Sequence, residues 1–126
     1  MNTNYQQGIL YLVHLLTNVD GHVDESEILA VQKLKQVEKI PDHVTDTFEK
    51  SVIGVSDREI FRRGVEFINK CSEKEKLRAL TTLYKISEID GRVHVNEIKM
   101  ILYSIELIGV EFEDVVREVR NEDPIL

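Results

Sequence analysis

Asp20-Gly21-His22-Val23-Asp24-Glu25-Ser26-Glu27 returns seventy positions later as Asp90-Gly91-Arg92-Val93-His94-Val95-Asn96-Glu97. Each copy follows one apolar helical run and leads into another. That arrangement predicts two related helix-turn-helix units, each with a carboxylate-bearing hinge.

Working outward from the first hinge, Ile9, Leu12, Val13, Leu16 and Val19 recur at three- and four-residue steps, with Leu10 and Leu15 widening the face. This predicts a first helix that ends at Asp20-Gly21 and sits deep in the bundle. A second helix is expected from about Asp24, where Asp24 and Glu27 have capping-box spacing, with a buried stripe of Ile28, Val31, Leu34 and Val37 and a stop at Ile40-Pro41. A short third helix should run from Asp42 to about Val52, carrying Val44 and Phe48 inward. Ser56-Asp57-Arg58-Glu59 and Ser72-Glu73-Lys74-Glu75 are two more capping boxes. The first opens a helix with Phe61, Val65 and Ile68 inward and Gly64 allowing close approach. The second opens one with Leu77, Leu80, Leu83 and Tyr84 inward, running to the second hinge. Ile98, Ile101, Leu102, Ile105 and Ile108 mark a sixth helix closed by Gly109. Phe112, Val115, Val116 and Val119 mark a seventh. No segment sustains the two-residue alternation of a strand, so the class is all-α: one compact domain over 1–126, core about 5–120, of about seven helices with internal duplication.

Composition fits an ordinary folded chain: 126 residues, 42% hydrophobic, with two prolines and six glycines. The formal charge of -7 disfavours a nucleic-acid partner and favours cations or basic proteins. The charge is uneven, since residues 56 to 85 carry eight Lys or Arg against five Asp or Glu. A lone Cys71 makes no internal disulfide. The start of the chain has no signal-peptide pattern, and the run from Ile9 to Leu16 is too short to span a bilayer. The expectation is a cytoplasmic protein without direct membrane insertion.

The hinge ending D-G-x-V-x-x-x-E coincides with the second half of a calcium-binding helix-loop-helix. In that register the opening ligand falls on Leu16 in one copy and Ile86 in the other, and an aliphatic side chain coordinates no hard cation. A standalone calcium loop is excluded. If both hinges face one side of the bundle, Asp20, Glu27, Asp90 and Glu97 can share a cation whose binding relieves their repulsion. His22 and His94 would tilt the choice toward zinc, and oxygen-only ligation toward calcium or magnesium. The same spacing also satisfies a purely structural hinge. Glu27 closes a capping box, Glu97 favours a helix N-terminus by charge, Asp20 and Asp90 bond to hinge amides, and the glycines turn the chain.

The duplicated Asp-Gly-x-Val with a glutamate six residues after the glycine, each copy on its apolar helix, resembles the tellurite-resistance TerB family from about Tyr5 to Val119. The resemblance implies a compact helical fold with internal duplication and an acidic cluster for a divalent metal. It also implies a role in tellurite resistance, stress responses or scaffolding of membrane-linked complexes. Carried over by position, that cluster is Asp20, Glu27, Asp90 and Glu97, with Asp24 an extra carboxylate in the first copy. His94 stands in Asp24's place in the second copy, a departure from an equivalent second site.

His14 in its apolar helix reads as a packed histidine, Cys71 as inert, and Tyr5, Tyr11, Tyr84 and Tyr103 as core or rim. There is no P-loop, dinucleotide fingerprint, nucleophile elbow or HExxH. The resulting expectation is a non-catalytic, divalent-metal-binding module with protein partners. A metal-independent scaffold is the alternative, and a metal-dependent hydrolase using the carboxylates is a third reading.

Overall fold

The computed structural model describes residues 2–18, 25–88 and 95–122, with Ser26 and Glu27 placed as helix backbone alone. Among these the chain forms seven helices and no strand: α1 (Thr3–Asn18), α2 (Glu25–Val37), α3 (Asp42–Ser51), α4 (Asp57–Asn69), α5 (Glu73–Ser87), α6 (Val95–Ile108) and α7 (Phe112–Asn121). The duplication is visible in their order. Helices α5, α6 and α7 begin at Glu73, Val95 and Phe112, each 70 residues after Thr3, Glu25 and Asp42, where α1, α2 and α3 begin. Helix α4 joins the two triplets.

The core is built around α1, which contacts α2, α3, α4 and α5. Its burial is nearly all-round, from Tyr5 through Leu16, as a helix apolar on every side requires. Asn2 caps its start, its side-chain oxygen accepting from the Tyr5 amide at 2.8 Å. Even the polar Gln6 and Gln7 are buried. They donate to the carbonyls of Lys39 and Val44, at 3.5 and 3.4 Å, and so fasten α1 to the α2–α3 connection and to the first turn of α3. The closest helix contact is between α1 and α4. A Cβ on Gly64 would stand 2.9 Å from Leu12 Cδ2, and one on Gly8 would stand 2.5 Å from Ile68 Cδ1. Each helix presents a glycine where the other presents a branched side chain, so the expected close approach at Gly64 is reciprocated by Gly8. Tyr11 seals this layer, with Phe48 and Phe67 at 5.1 and 5.4 Å between centroids and its hydroxyl 2.7 Å from Ser51 Oγ.

Several predicted faces are rotated. In α2 the buried positions are Ala30 and Leu34, with Val31 partly buried, whereas Ile28 and Val37 are exposed. Helix α2 lies at the edge of the bundle, so only a narrow stripe is covered and the small Ala30 marks its centre. In α6, Ile101, Ile105 and Ile108 are buried with Ser104, while Ile98 and Leu102 face outward. In α4 the inner place is taken by Ile60, while Phe61 is half-buried and stacks on Tyr103 at 5.5 Å. Leu77 and Tyr84 are likewise half-buried, and Ala79 and Ile86 fill the α5 core.

The stops differ from expectation in one case. Helix α2 ends at Val37, before Ile40-Pro41, because Lys39 adopts φ 54°. The Ile40 amide then reaches the Lys35 carbonyl (2.9 Å) and the Lys39 amide the Gln36 carbonyl (3.2 Å). This is a Schellman closure with lysine in the usual glycine seat. Gly109, at φ 86°, ends α6 as predicted, its amide donating to Ile105 at 2.8 Å. Ser72 and Glu75 form the full reciprocal box, but Ser56 receives only the Glu59 amide. The Glu59 carboxylate is diverted to Arg62 and Arg63.

Candidate functional site

The two hinges fall between α1 and α2 and between α5 and α6. Of the predicted ligands, Asp20, His22, Asp24, Asp90 and His94 lie outside the described residues, as does the Glu27 side chain. Glu97 is described, in the first turn of α6 and only 2% exposed. A glutamate that merely favours a helix N-terminus has no reason to leave water, because the helix dipole acts on exposed residues too. Buried carboxylates persist where hydrogen bonds, ion pairs or metals hold them, and Glu97 is engaged by interactions within the protein.

The approaches to the two hinges match. Thr17 and Ser87 occupy equivalent places in the last turns of α1 and α5, and both are buried. Thr17 Oγ1 donates to the Val13 carbonyl at 3.0 Å, and Ser87 Oγ to the Tyr84 carbonyl at 2.7 Å. Each hydroxyl satisfies itself on the preceding turn, so it adds no unpaired donor at the hinge. Among the described residues no group of three or more His, Cys, Asp or Glu side chains gathers as a metal cage. The hinge carboxylates other than Glu97 are not among those residues.

A second polar cluster carries no sequence motif. Glu38, immediately after α2, has a side chain only 3% exposed beneath Arg78 of α5, whose own side chain is 47% exposed. Arg78 Nε and Nη2 both donate to Glu38 Oε1, at 3.0 and 2.7 Å. The other oxygen, Oε2, makes no hydrogen bond, and neither does the buried Tyr5 hydroxyl. Thr82 and Arg78 stand near that hydroxyl, and neither makes a hydrogen bond to it. Burial, and then the nearby Glu38 charge, push the Tyr5 phenol well above its ordinary range, so it stays neutral. Nothing in the spacing of Tyr5, Glu38 and Arg78 signals this cluster; the left-handed Lys39 is what turns the chain there.

The remaining candidates are packing features. A groove of about 350 Å³ opens between α1, α2 and α3, lined by buried Leu10, Val13 and Phe48 with His14, Lys35 and Glu49 among its polar groups. His14 sits edge-on to Phe48 at 5.6 Å, a packed histidine as expected. Cys71 is partly buried, and burial followed by the Glu75 charge raises its thiol pKa, which removes thiolate character. On the exposed face of α4, Arg62 joins Glu59 and Glu66 at 2.6 and 2.7 Å. The hydrogen bond from Arg62 holds the Glu59 carboxyl down at about 2. The basic stretch is therefore partly neutralised by its own carboxylates.

No protein-family model matches the chain, and no curated protein matches it in sequence. A solved structure of a protein of unknown function from Porphyromonas gingivalis is similar, with a TM-score of 0.66 and 17% identity over 97% of this chain and 98% of that one. The likeness extends over both chains nearly end to end, and it is a likeness of fold. Among the described residues no helix is long and apolar enough to cross a membrane.

Proposed function

We propose that this protein is a TerB-like, non-catalytic binding module whose acidic hinges take a divalent cation, with Asp20 and Asp90 as the principal ligands and Glu27 and Glu97 beside them. It would act within a stress-response or scaffolding complex. The observation that carries the reading is Glu97: a carboxylate 2% exposed beside a hinge that repeats an earlier one at the same place in a duplicated helix triplet. Oxygen ligands of this kind suit calcium or magnesium, and His22 or His94 would bring in zinc.

Thermal unfolding with calcium, magnesium, manganese or zinc is the test. A cation at a hundred times its Kd stabilises by about 2.7 kcal/mol, equivalent to about 10 °C for a chain of this size. Asp20→Ala combined with Asp90→Ala should abolish the shift while leaving the helical signal intact. Absence of a shift with all four ions would defeat the proposal. The exposed apolar residues of α6 favour a second reading, a scaffold that binds protein without metal. Partner capture that survives a chelator would support that version.

A further inference from the structure

Helix α6 is the most apolar of the seven, yet half of its surface is uncovered. Ile98, Leu102, Tyr103 and Leu107 are 40%, 47%, 56% and 45% exposed, and Lys99 and Glu106 between them are exposed as well. On the uncovered half of the helix Leu102 and Tyr103 flank Lys99 and Glu106, with Ile98 and Leu107 at its two edges. Four large apolar side chains there, when the other half already fills the core with Ile101, Ile105 and Ile108, exceed what a solvated helix needs. The uncovered residues are arranged symmetrically. Lys99 stands as far before the midpoint between Leu102 and Tyr103 as Glu106 stands after it, and Ile98 and Leu107 are matched in the same way. Lys99 and Glu106 are two turns apart, about 10.5 Å along the axis and on nearly the same side. They are too distant to pair with each other, and neither joins an ion pair among the described residues.

We infer that this face binds a second copy of the chain, α6 against α6, antiparallel about a two-fold axis between Leu102 and Tyr103. In that register Lys99 of each copy lies opposite Glu106 of the other, so two ion pairs form from one sequence. Leu102 and Tyr103 meet their own counterparts at the axis, one on each side of the charged line, and Ile98 and Leu107 stand at the two outer edges of the seam. A parallel pairing would set Lys99 against Lys99 and Glu106 against Glu106. The self-complementary charge is what selects a second copy as the occupant, because an isologous contact needs one surface to fit itself. Tyr103 is already braced by its stack on Phe61, which fixes one anchor in advance.

Sedimentation velocity over about two decades of concentration, up to the high-micromolar range, tests this on the full chain. The wild type should pass from 14.6 kDa towards twice that mass. Leu102→Glu, on an exposed residue, should hold it monomeric. Lys99→Glu alone or Glu106→Lys alone replaces both attractions with repulsions and should weaken association by about tenfold or more. The double variant Lys99→Glu with Glu106→Lys restores both pairs and should restore the dimer. Circular dichroism identifies any variant that fails to fold. A wild type that stays monomeric, or a dimer indifferent to Leu102→Glu, would overturn the inference. A double variant no better than the singles would overturn the antiparallel register. A dimer lost in the singles and regained in the double supports it.

Discussion

Glu38 is placed by one strained residue and held by one long one. The left-handed Lys39 turns the chain out of α2, and Arg78 closes over the carboxylate with two donors on a single oxygen. Removing Arg78 leaves a buried carboxylate without its cation, whereas removing the Tyr5 hydroxyl takes away a polar atom with no hydrogen bond to lose. These two changes should therefore differ in sign or size. Arg78→Ala should cost about 2 kcal/mol, the scale of a hydrogen bond to a charged group lost from a buried partner. Tyr5→Phe should be neutral or slightly stabilising. Urea unfolding of both variants checks this, and a loss above about 1 kcal/mol in Tyr5→Phe would mean that the hydroxyl is satisfied after all.

At the scale of elements, α1 and α4 set the tolerance of the whole bundle, because their glycines let two backbones meet. Alanine at Gly64 would press its methyl on Leu12 and on Tyr11 Cβ, both fixed in the core. Gly64→Ala should destabilise by about 1–3 kcal/mol despite alanine's better helix propensity, since overpacking outweighs the propensity gain of about 1 kcal/mol. An unchanged denaturation midpoint would show that the helices can part without cost. All seven helices were legible in the sequence, because each has a periodic apolar run and most have a capping or stop residue at an end. Gly64 was legible for the same reason, as a glycine inside a helical pattern. The outward turn of Ile28, Val37, Ile98 and Leu102 was not. Periodicity locates an apolar stripe but does not say whether a neighbour covers all of it, and α2 and α6 each leave part of theirs bare. The candidate site divides in the same way. The hinge carboxylates stand out because they repeat, and the one whose side chain is described, Glu97, proves to be buried. Glu38, Arg78 and Tyr5 come together only through tertiary packing, from α5 and both ends of the first helix pair, so no local spacing announces them.

Across the whole molecule, stability is unevenly distributed. Helix α1 is enclosed along nearly its full length, and α4 is locked to it through Gly8 and Gly64. Helix α2 has a different standing: it buries Ala30 and Leu34, is pinned at its end through Glu38, and leaves Ile28, Leu29 and Val37 in solvent. An element with so little covered surface opens locally at a free energy below that of global unfolding. Backbone amides from Ala30 to Gln36 should therefore exchange with solvent through partial opening, well ahead of those from Ile9 to Leu16, whose exchange should require global unfolding. The first hinge joins these two helices, which gives the comparison a functional edge. A cation bound there by Asp20 and Glu27 would restrain the start of α2, so protection in α2 should rise more than protection in α1 when the ion is added. Hydrogen exchange measured with and without the ion separates this from uniform stabilisation. Equal gains in both helices would place the bound ion away from the hinge, and equal protection without any ion would refute the loose attachment of α2.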